Sequence, residues 1–342
     1  MRSLIKKLSD LRGISGFEYR LNGEIAKLFE KYSDEVVIDS LGSVTAVKKC
    51  GKKNAPSIMI EAHCDEIGLM VTSVTEDGFL TFANIGGVDN RILPSLEVTV
   101  HGKKDIWGVI GIKPDYLNEA GKSVKIKDMA IDTGLSTEEV RELVSVGDSV
   151  TVAQSVGKLG NRQWSGKTLD DRASVAALIT VMKNLRKEKL CSDVYAVAAV
   201  QEEVGCRGGK TTSYGINPDM AIAIDVTHGI TPDNSENAFE TGCGAVISAG
   251  PNLHPKLTAR LIDTAKKYGI KTEIDVDGGN TGTDAWEIQV SGNGIPTALL
   301  SIPLKYMHTS VETLAVSDVE AVSELLTDFI KDIKGDMQWL SL

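Results

Sequence analysis

Asp193-Val194-Tyr195-Ala196-Val197-Ala198-Ala199-Val200-Gln201-Glu202-Glu203 is the stretch that decides the fold. The apolar run Val194 to Val200 shows no polar alternation. Such a run reads as a strand covered on both faces, the signature of a parallel sheet between helices. Two adjacent acids follow it directly. In open α/β sheets, ligands bind outside the carboxyl ends of the strands. Charges carried to such an edge need a compensating partner.

Other apolar strands end the same way. Ile58-Met59-Ile60-Glu61-Ala62 runs into His63 and Asp65. Met220-Ala221-Ile222-Ala223-Ile224 ends at Asp225, and Thr297 to Ile302 is followed across a short loop by His308. Asp170-Asp171 reads as the cap of a helix running to about Glu188. The first thirty residues read as helix, with Leu21, Ile25, Leu28 and Phe29 at three- and four-residue spacing. His254 to Tyr268 and Ser317 to Lys334 read as further helices.

Between about Glu66 and Ser165 the texture changes. Short β-rich runs (Leu69 to Val74, Phe79 to Phe82, Leu96 to Val100, Trp107 to Ile112) alternate with turns, as in a small barrel or sandwich. Ser136 ahead of Glu138 and Glu139 caps one short helix, Thr137 to Val144. The expected architecture is α/β: a mostly parallel central sheet flanked by helices in a three-layer domain, interrupted by a small β-barrel. The expected division is 1–65 and 166–342 for the α/β domain, and 66–165 for the insert.

The 342 residues fit about two domains. With 37 Lys and Arg against 47 Asp and Glu, the net charge is −10, and no basic stripe is present. That argues against a nucleic-acid partner, which needs clustered cations. The longest nearly apolar stretch, Ala173 to Met182, is about half a membrane span. Charges occupy the start Met1-Arg2-Ser3-Leu4-Ile5-Lys6-Lys7, where a signal peptide would be apolar. The five cysteines lack CxxC spacing and read as reduced thiols. The expectation is a cytoplasmic protein with no membrane association.

If the strands are parallel, His63, Asp170, Glu203, Asp225 and His308 converge on one edge. Their carboxylates would repel strongly unless something positive joins them. Two divalent cations would do so, and imidazole with carboxylate suits Zn²⁺, with Co²⁺ or Mn²⁺ as alternatives. Each signal alone has an ordinary reading: Asp170-Asp171 as a helix cap, Asp225 as a turn former, His308 as structural. Their coincidence on one sheet edge is what carries weight.

The motifs His63-Cys64-Asp65-Glu66-Ile67-Gly68, Leu169-Asp170-Asp171-Arg172, Gln201-Glu202-Glu203-Val204-Gly205, Ile224-Asp225-Val226-Thr227-His228, Gly282-Thr283-Asp284-Ala285 and Met307-His308-Thr309-Ser310-Val311-Glu312 resemble those of the tetrahedral and glutamyl aminopeptidases. Some members of that family carry endoglucanase labels. The resemblance spans essentially the whole chain. It implies a cytosolic aminopeptidase with two co-catalytic metals: Asp170 bridging, Glu203 and His308 completing one site, and His63 and Asp225 the other. It makes Glu202 the general base and has Asp65 hold the His63 imidazole. It also implies a PDZ-like insert serving dimerisation and substrate access, and dimers assembling into a dodecamer.

The expected chemistry is hydrolysis of the first peptide bond of short peptides with a free N-terminus. A metal-bridging hydroxide is the nucleophile, and Glu202 accepts its proton. Rival readings are a metal-dependent deacylase of N-acyl amino acids, a glycoside hydrolase acting through a carboxylate pair, and a non-catalytic assembly or storage protein. The glycosidase reading meets the objection that Glu202 and Glu203, if on a regular strand, would face opposite ways. His228 is open between substrate contact and a loop hydrogen bond, and Asp284 between the pocket wall and a helix cap; His101 and His254 read as structural.

Overall fold

The computed structural model describes residues 1–112, 125–160 and 162–342. The chain opens with helices α1 (Arg2–Ser9) and α2 (Tyr19–Phe29), then strands β1 (Glu35–Ile38), β2 (Val44–Lys48) and β3 (Ser57–His63). A barrel segment follows, with β4 (Gly68–Val74), β5 (Leu80–Ile85), β6 (Glu97–His101), β7 (Asp105–Ile112), β8 (Met129–Asp132), α3 (Thr137–Leu143) and β9 (Ser149–Val152). The hairpin β10 (Gly157–Leu159) and β11 (Gln163–Gly166) leads to α4 (Leu169–Leu185), β12 (Asp193–Ala199), α5 (Arg207–Ile216) and β13 (Met220–His228). The rest comprises β14 (Ala245–Ala249), α6 (Pro255–Tyr268), β15 (Thr272–Val276), α7 (Asp284–Gln289), β16 (Thr297–Leu304), β17 (Glu312–Ala315) and α8 (Val316–Asp332).

Eight strands form one sheet in the order β1-β2-β12-β3-β13-β16-β14-β15. The four apolar strands read from the sequence, β12, β3, β13 and β16, are adjacent and mutually parallel. Both sheet faces are covered. On one side Ile58, Ile60, Ala196, Ile222 and Leu300 pack with α4 and α8; on the other Met59, Val197, Ala221 and Leu299 pack with Ala285 and Ile288 of α7. This double cover explains why the strands lack alternation. The run Ala173 to Met182 becomes the middle of α4, nearly all of it buried. Among the described residues, no helix is long and apolar enough to cross a membrane.

The barrel closes in the order β4-β5-β8-β7-β6-β9, all neighbours antiparallel. Its own core includes Leu69, Val71, Phe82, Val98, Ile110, Ile131 and Val150. The hairpin β10–β11 pairs instead with β17, as a separate three-stranded sheet.

Three local expectations are corrected. The opening is two helices, not one. Residues 10–18 form a turn in which Glu66 N donates to Gly13 O and Ser15 N to Glu66 O, so this segment's backbone groups go to the loop after β3. Strand β13 continues past Asp225 to His228 because it stays paired with β16 through His228 and Leu304. Asp170 and Asp171 do not cap α4 with their side chains; both have non-helical backbone angles, after a left-handed Thr168 at φ 58°.

One buried cation ties these parts together. Arg172 is fully buried. Its guanidinium donates to the carbonyls of Leu8 (2.8 Å), Leu11 (2.9 Å) and Cys64, and lies 3.5 Å from the Glu66 carboxylate. Glu66 also pairs with Lys167 Nζ at 2.6 Å. Arg172→Leu would remove the donor shared by the buried carbonyls of Leu8, Leu11 and Cys64 and leave Glu66 with Lys167 as its one cationic partner among the described residues. Urea unfolding of the variant is expected to show a loss of about 3–5 kcal/mol; a loss below about 1 kcal/mol would contradict the role given to this residue.

Candidate metal centre

The site lies at the carboxyl edge of the parallel strands. His63 ends β3, Asp225 lies near the end of β13, Glu202 and Glu203 follow β12, and His308 follows β16. Asp170 enters from the start of α4. The two oxygens of Asp170 face different imidazoles: Oδ1 is 3.0 Å from His63 Nε2, and Oδ2 is 3.3 Å from His308 Nε2. His308 Nε2 is also 3.3 Å from Glu203 Oε1. Ligand atoms of His63, Asp170 and Glu203 lie within 4.8 Å of one another, and so do those of His63, Asp171 and Asp225. All five residues expected as ligands therefore meet at one place, and Asp171 joins them.

The electrostatics are those of an uncompensated acidic cluster. Burial pushes the Asp225 carboxyl up to about 8, with Asp170 adding and His63 opposing. Burial likewise lifts Glu202 to about 9, partly countered by His63 and reinforced by Asp225. Burial also raises Glu203 and Asp171. Asp170 moves the other way: burial would raise it, but His308 and His63 together pull it below the ordinary carboxylate range. The imidazoles answer in kind. Burial alone would lower His308, yet Asp170 and Glu203 drive it up to about 11. His63 is raised for the same reason, by Asp170 and Asp65 against burial.

Strained turns aim these groups. Gln201 and His308 have left-handed backbones at φ 59° and 60°, as does Thr168 ahead of Asp170. Such conformations persist only where surroundings over-determine them. Glu312 supplies one anchor: its carboxylate accepts from the amides of Leu169 (2.7 Å), Asp170 (3.2 Å) and His308 (3.2 Å). The barrel supplies another. Gly87 O sits 3.0 Å from His308 Nδ1, which orients Nε2 toward Asp170 and Glu203. A Cβ at Gly87 would come within 2.9 Å of that Nδ1, so the approach requires glycine. Asp65 lies 3.4 Å from His63 Nδ1. Its carboxylate also accepts from the amides of Glu202 (3.0 Å) and Glu203 (3.2 Å).

Glu202 and Glu203 lie beyond β12 in a turn, and both line the same cleft of about 700 Å³. The opposite-faces argument therefore does not apply to them. The cleft also takes in His63, Asp170, Asp225, His228, Asp275, Asp277 and His308. Asp284 does not line it; its buried carboxyl lies behind the site, with Glu61 and against Gly209. His101 touches Arg12, Asp105 and Thr151, and His254 precedes α6.

Sequence reading passed over Glu312, Arg172, Glu61 and the added carboxylate Asp171. Glu61 carried a signal, since an acid inside an apolar strand is rarely buried without purpose. The donor set fits divalent cations: imidazoles with carboxylates, no thiolate, and buried oxygens of Asp171 without a hydrogen-bond partner.

A family model for M42 glutamyl aminopeptidases matches residues 42–325. The lysyl aminopeptidase of Pyrococcus furiosus is 34% identical over 340 residues, covering 97% of each chain. An aminopeptidase of the archaeon Desulfurococcus kamchatkensis superposes with a TM-score of 0.92 at 37% identity, over 99% of this chain and 96% of that one. The Pyrococcus horikoshii TET1 peptidase, which can assemble into a tetrahedron or a large octahedral shell, superposes at 0.86 with 32% identity, over 97% and 99%.

Zinc added to the metal-free protein at pH 7 is expected to release about one proton or more per subunit. The groups raised above that pH (His308, Glu202 and Asp225) hold protons there until the cations displace them. Affinity should therefore tighten as the pH rises through 8. Calorimetry in two buffers of different ionisation enthalpy measures the release; none, or uptake, would contradict this electrostatic picture.

Proposed function

The chain belongs to the M42 glutamyl aminopeptidase family and is a peptide hydrolase; from that premise we propose that it is a dinuclear metallo-aminopeptidase removing first residues from short peptides with a free N-terminus. The observation that carries this reading is the placement of Asp170 between two imidazoles, one oxygen toward each. A carboxylate so shared suits a bridge between two cations. In this reading Glu203 and His308 complete one site and His63 and Asp225 the other. Zn²⁺ is the expected metal, with Co²⁺ or Mn²⁺ as alternatives.

The cations, when bound, supply Lewis acidity that acidifies water and polarises the scissile carbonyl. The chain's own residues do the rest. Glu202 takes the proton from the attacking water and returns it to the leaving amine. Two dications nearby would favour its ionised form, which burial otherwise opposes. Asp65 orients His63 from behind. The cleft walls hold the first residue of the peptide. Among the described residues no Lys or Arg lines them, while Asp275 and Asp277 do. A cationic or neutral first side chain fits such a wall, and an acidic one is repelled. The name of the Pyrococcus furiosus relative points the same way.

In this reading the insert is 66–165, the barrel with most of the β10–β11 hairpin, and it serves assembly and substrate access; assembly proceeds through dimers to a dodecamer, a reading that the likeness to the dodecameric TET1 of Pyrococcus horikoshii supports. Free thiols at all five cysteines fit a cytoplasmic setting.

With metal reloaded, lysyl anilide is expected to exceed glutamyl anilide in kcat/KM by about tenfold or more, one charge contact being worth roughly 1.4 kcal/mol. N-acetylated anilides should not be turned over, and a chelator should abolish activity. Activity that survived chelation, or a preference for the acylated substrate, would overturn the reading. Glu202→Gln should keep its metal and lose roughly 100-fold or more in kcat. Asp170→Asn should lose metal. Near-normal turnover by Glu202→Gln would remove the base assignment.

A further inference from the structure

The turn Val200-Gln201-Glu202-Glu203 makes no sheet or helix hydrogen bonds through its amides. Side chains receive all four. Ser43 Oγ accepts from Val200 N at 3.3 Å, Glu18 Oε1 from Gln201 N at 3.1 Å, and Asp65 from Glu202 N and Glu203 N. The carbonyls of the same turn are used by the start of α5: Gly205 and Cys206 donate to Glu202 O, Arg207 to Gln201 O and Gly208 to Val200 O. All four amides and three of the four carbonyls of the turn are thus accounted for, and its shape depends on two carboxylates from elsewhere in the chain.

Both carboxylates are governed by one short segment, Ser15-Gly16-Phe17-Glu18. Ser15 Oγ donates to Asp65 Oδ2, and Ser15 N donates to Glu66 O at 3.2 Å. Ile14 and Glu66 form a parallel β-bridge. Glu18 is 3% exposed and Ser15 5%. Glu18 therefore grips Gln201, the residue in the left-handed conformation, while Ser15 steadies the carboxylate that grips the next two. Burial, with Asp65 adding, lifts the Glu18 carboxyl to about 7, so near neutral pH an acceptor oxygen rather than a full charge does the holding.

We propose that Glu18 is a positioning residue for the reaction: through Gln201 N, with the Ser15–Asp65 pair beside it, it sets the aim of the Glu202 carboxylate. The proposal rests on Glu202 as general base, and on nothing else in the functional reading. Glu18 touches neither substrate nor reacting atoms.

The test compares two variants of similar volume in the full-length, zinc-loaded protein. Glu18→Gln keeps an acceptor oxygen toward Gln201 N, and Glu18→Met removes it. On an amino-acid anilide, Glu18→Met should lose roughly 30- to 100-fold in kcat, as a misaimed base does, with KM within about threefold. Glu18→Gln should stay within about fivefold of the parent. Bound zinc per subunit should be unchanged in both. Amide hydrogen exchange across 200–204 should quicken in Glu18→Met and not in Glu18→Gln. Equal kcat losses in the two variants, no loss in Glu18→Met, or a loss that follows zinc content would each overturn the proposal. If the parent protein hydrolyses no free-amine anilide, the functional reading is what has failed. The exchange measurement then decides alone: unchanged protection in Glu18→Met refutes the grip, and quickened exchange restricted to that variant supports it.

Discussion

Mutual repulsion among carboxylates gathered at the carboxyl edge of one sheet is the constraint on which the structure turns. Asp170, Asp171, Glu203 and Asp225 are packed, largely buried, with two imidazoles at the base of the cleft. Left alone, the cluster relieves its charge by holding protons, as the upward shifts of Asp225 and Glu202 show. A protein assembled only for stability would place apolar groups there, since buried charge is seldom a net gain. The arrangement has a physical purpose once positive charge of high density enters it. The same carboxylates would then serve as ligands, and Glu202, the proposed base, would be free to ionise.

The fold supplies this concentration of charge by making the strand ends irregular. Parallel strands deliver side chains to a common edge, but pleat geometry alone would alternate them. Left-handed residues at Thr168, Gln201 and His308 break that alternation and turn neighbouring side chains inward. Each such turn is held by a buried acceptor: Glu312 under the turns of Asp170 and His308, and Asp65 with Glu18 under the turn of Glu202. The barrel adds the Gly87 carbonyl to His308, so the two parts of the chain share responsibility for one imidazole. Arg172 binds the opening turn to the loop after β3, which places the anchors beneath the site.

Sequence alone shows the candidate site more readily than its supports. The apolar strands are readable because burial on both faces leaves no alternation, and the acids that follow them stand out against that background. His63, Glu203, Asp225 and His308 are found at or after strand ends and Asp170 at a helix start, and they do meet. Ser15, Glu18 and Arg172 are invisible to the same reasoning. They are single polar residues in a stretch whose pattern suggests ordinary helix, and their partners lie roughly 50 to 180 residues away in the chain. Periodicity reports which face is buried, not which buried polar group is satisfied by which distant backbone. The inference about Glu202 and Glu203 erred for a related reason: a strand-based argument cannot foresee the turn that ends the strand.

If these side chains converge to hold a pair of cations, diffraction from crystals grown with zinc, recorded on both sides of the zinc absorption edge, will reveal it. Two anomalous peaks about 3.5–4 Å apart, with Asp170 between them, are expected. One should lie about 2.0–2.2 Å from His63 and Asp225, and the other at that distance from Glu203 and His308. Peaks elsewhere, or none at Asp170, would contradict such a pair.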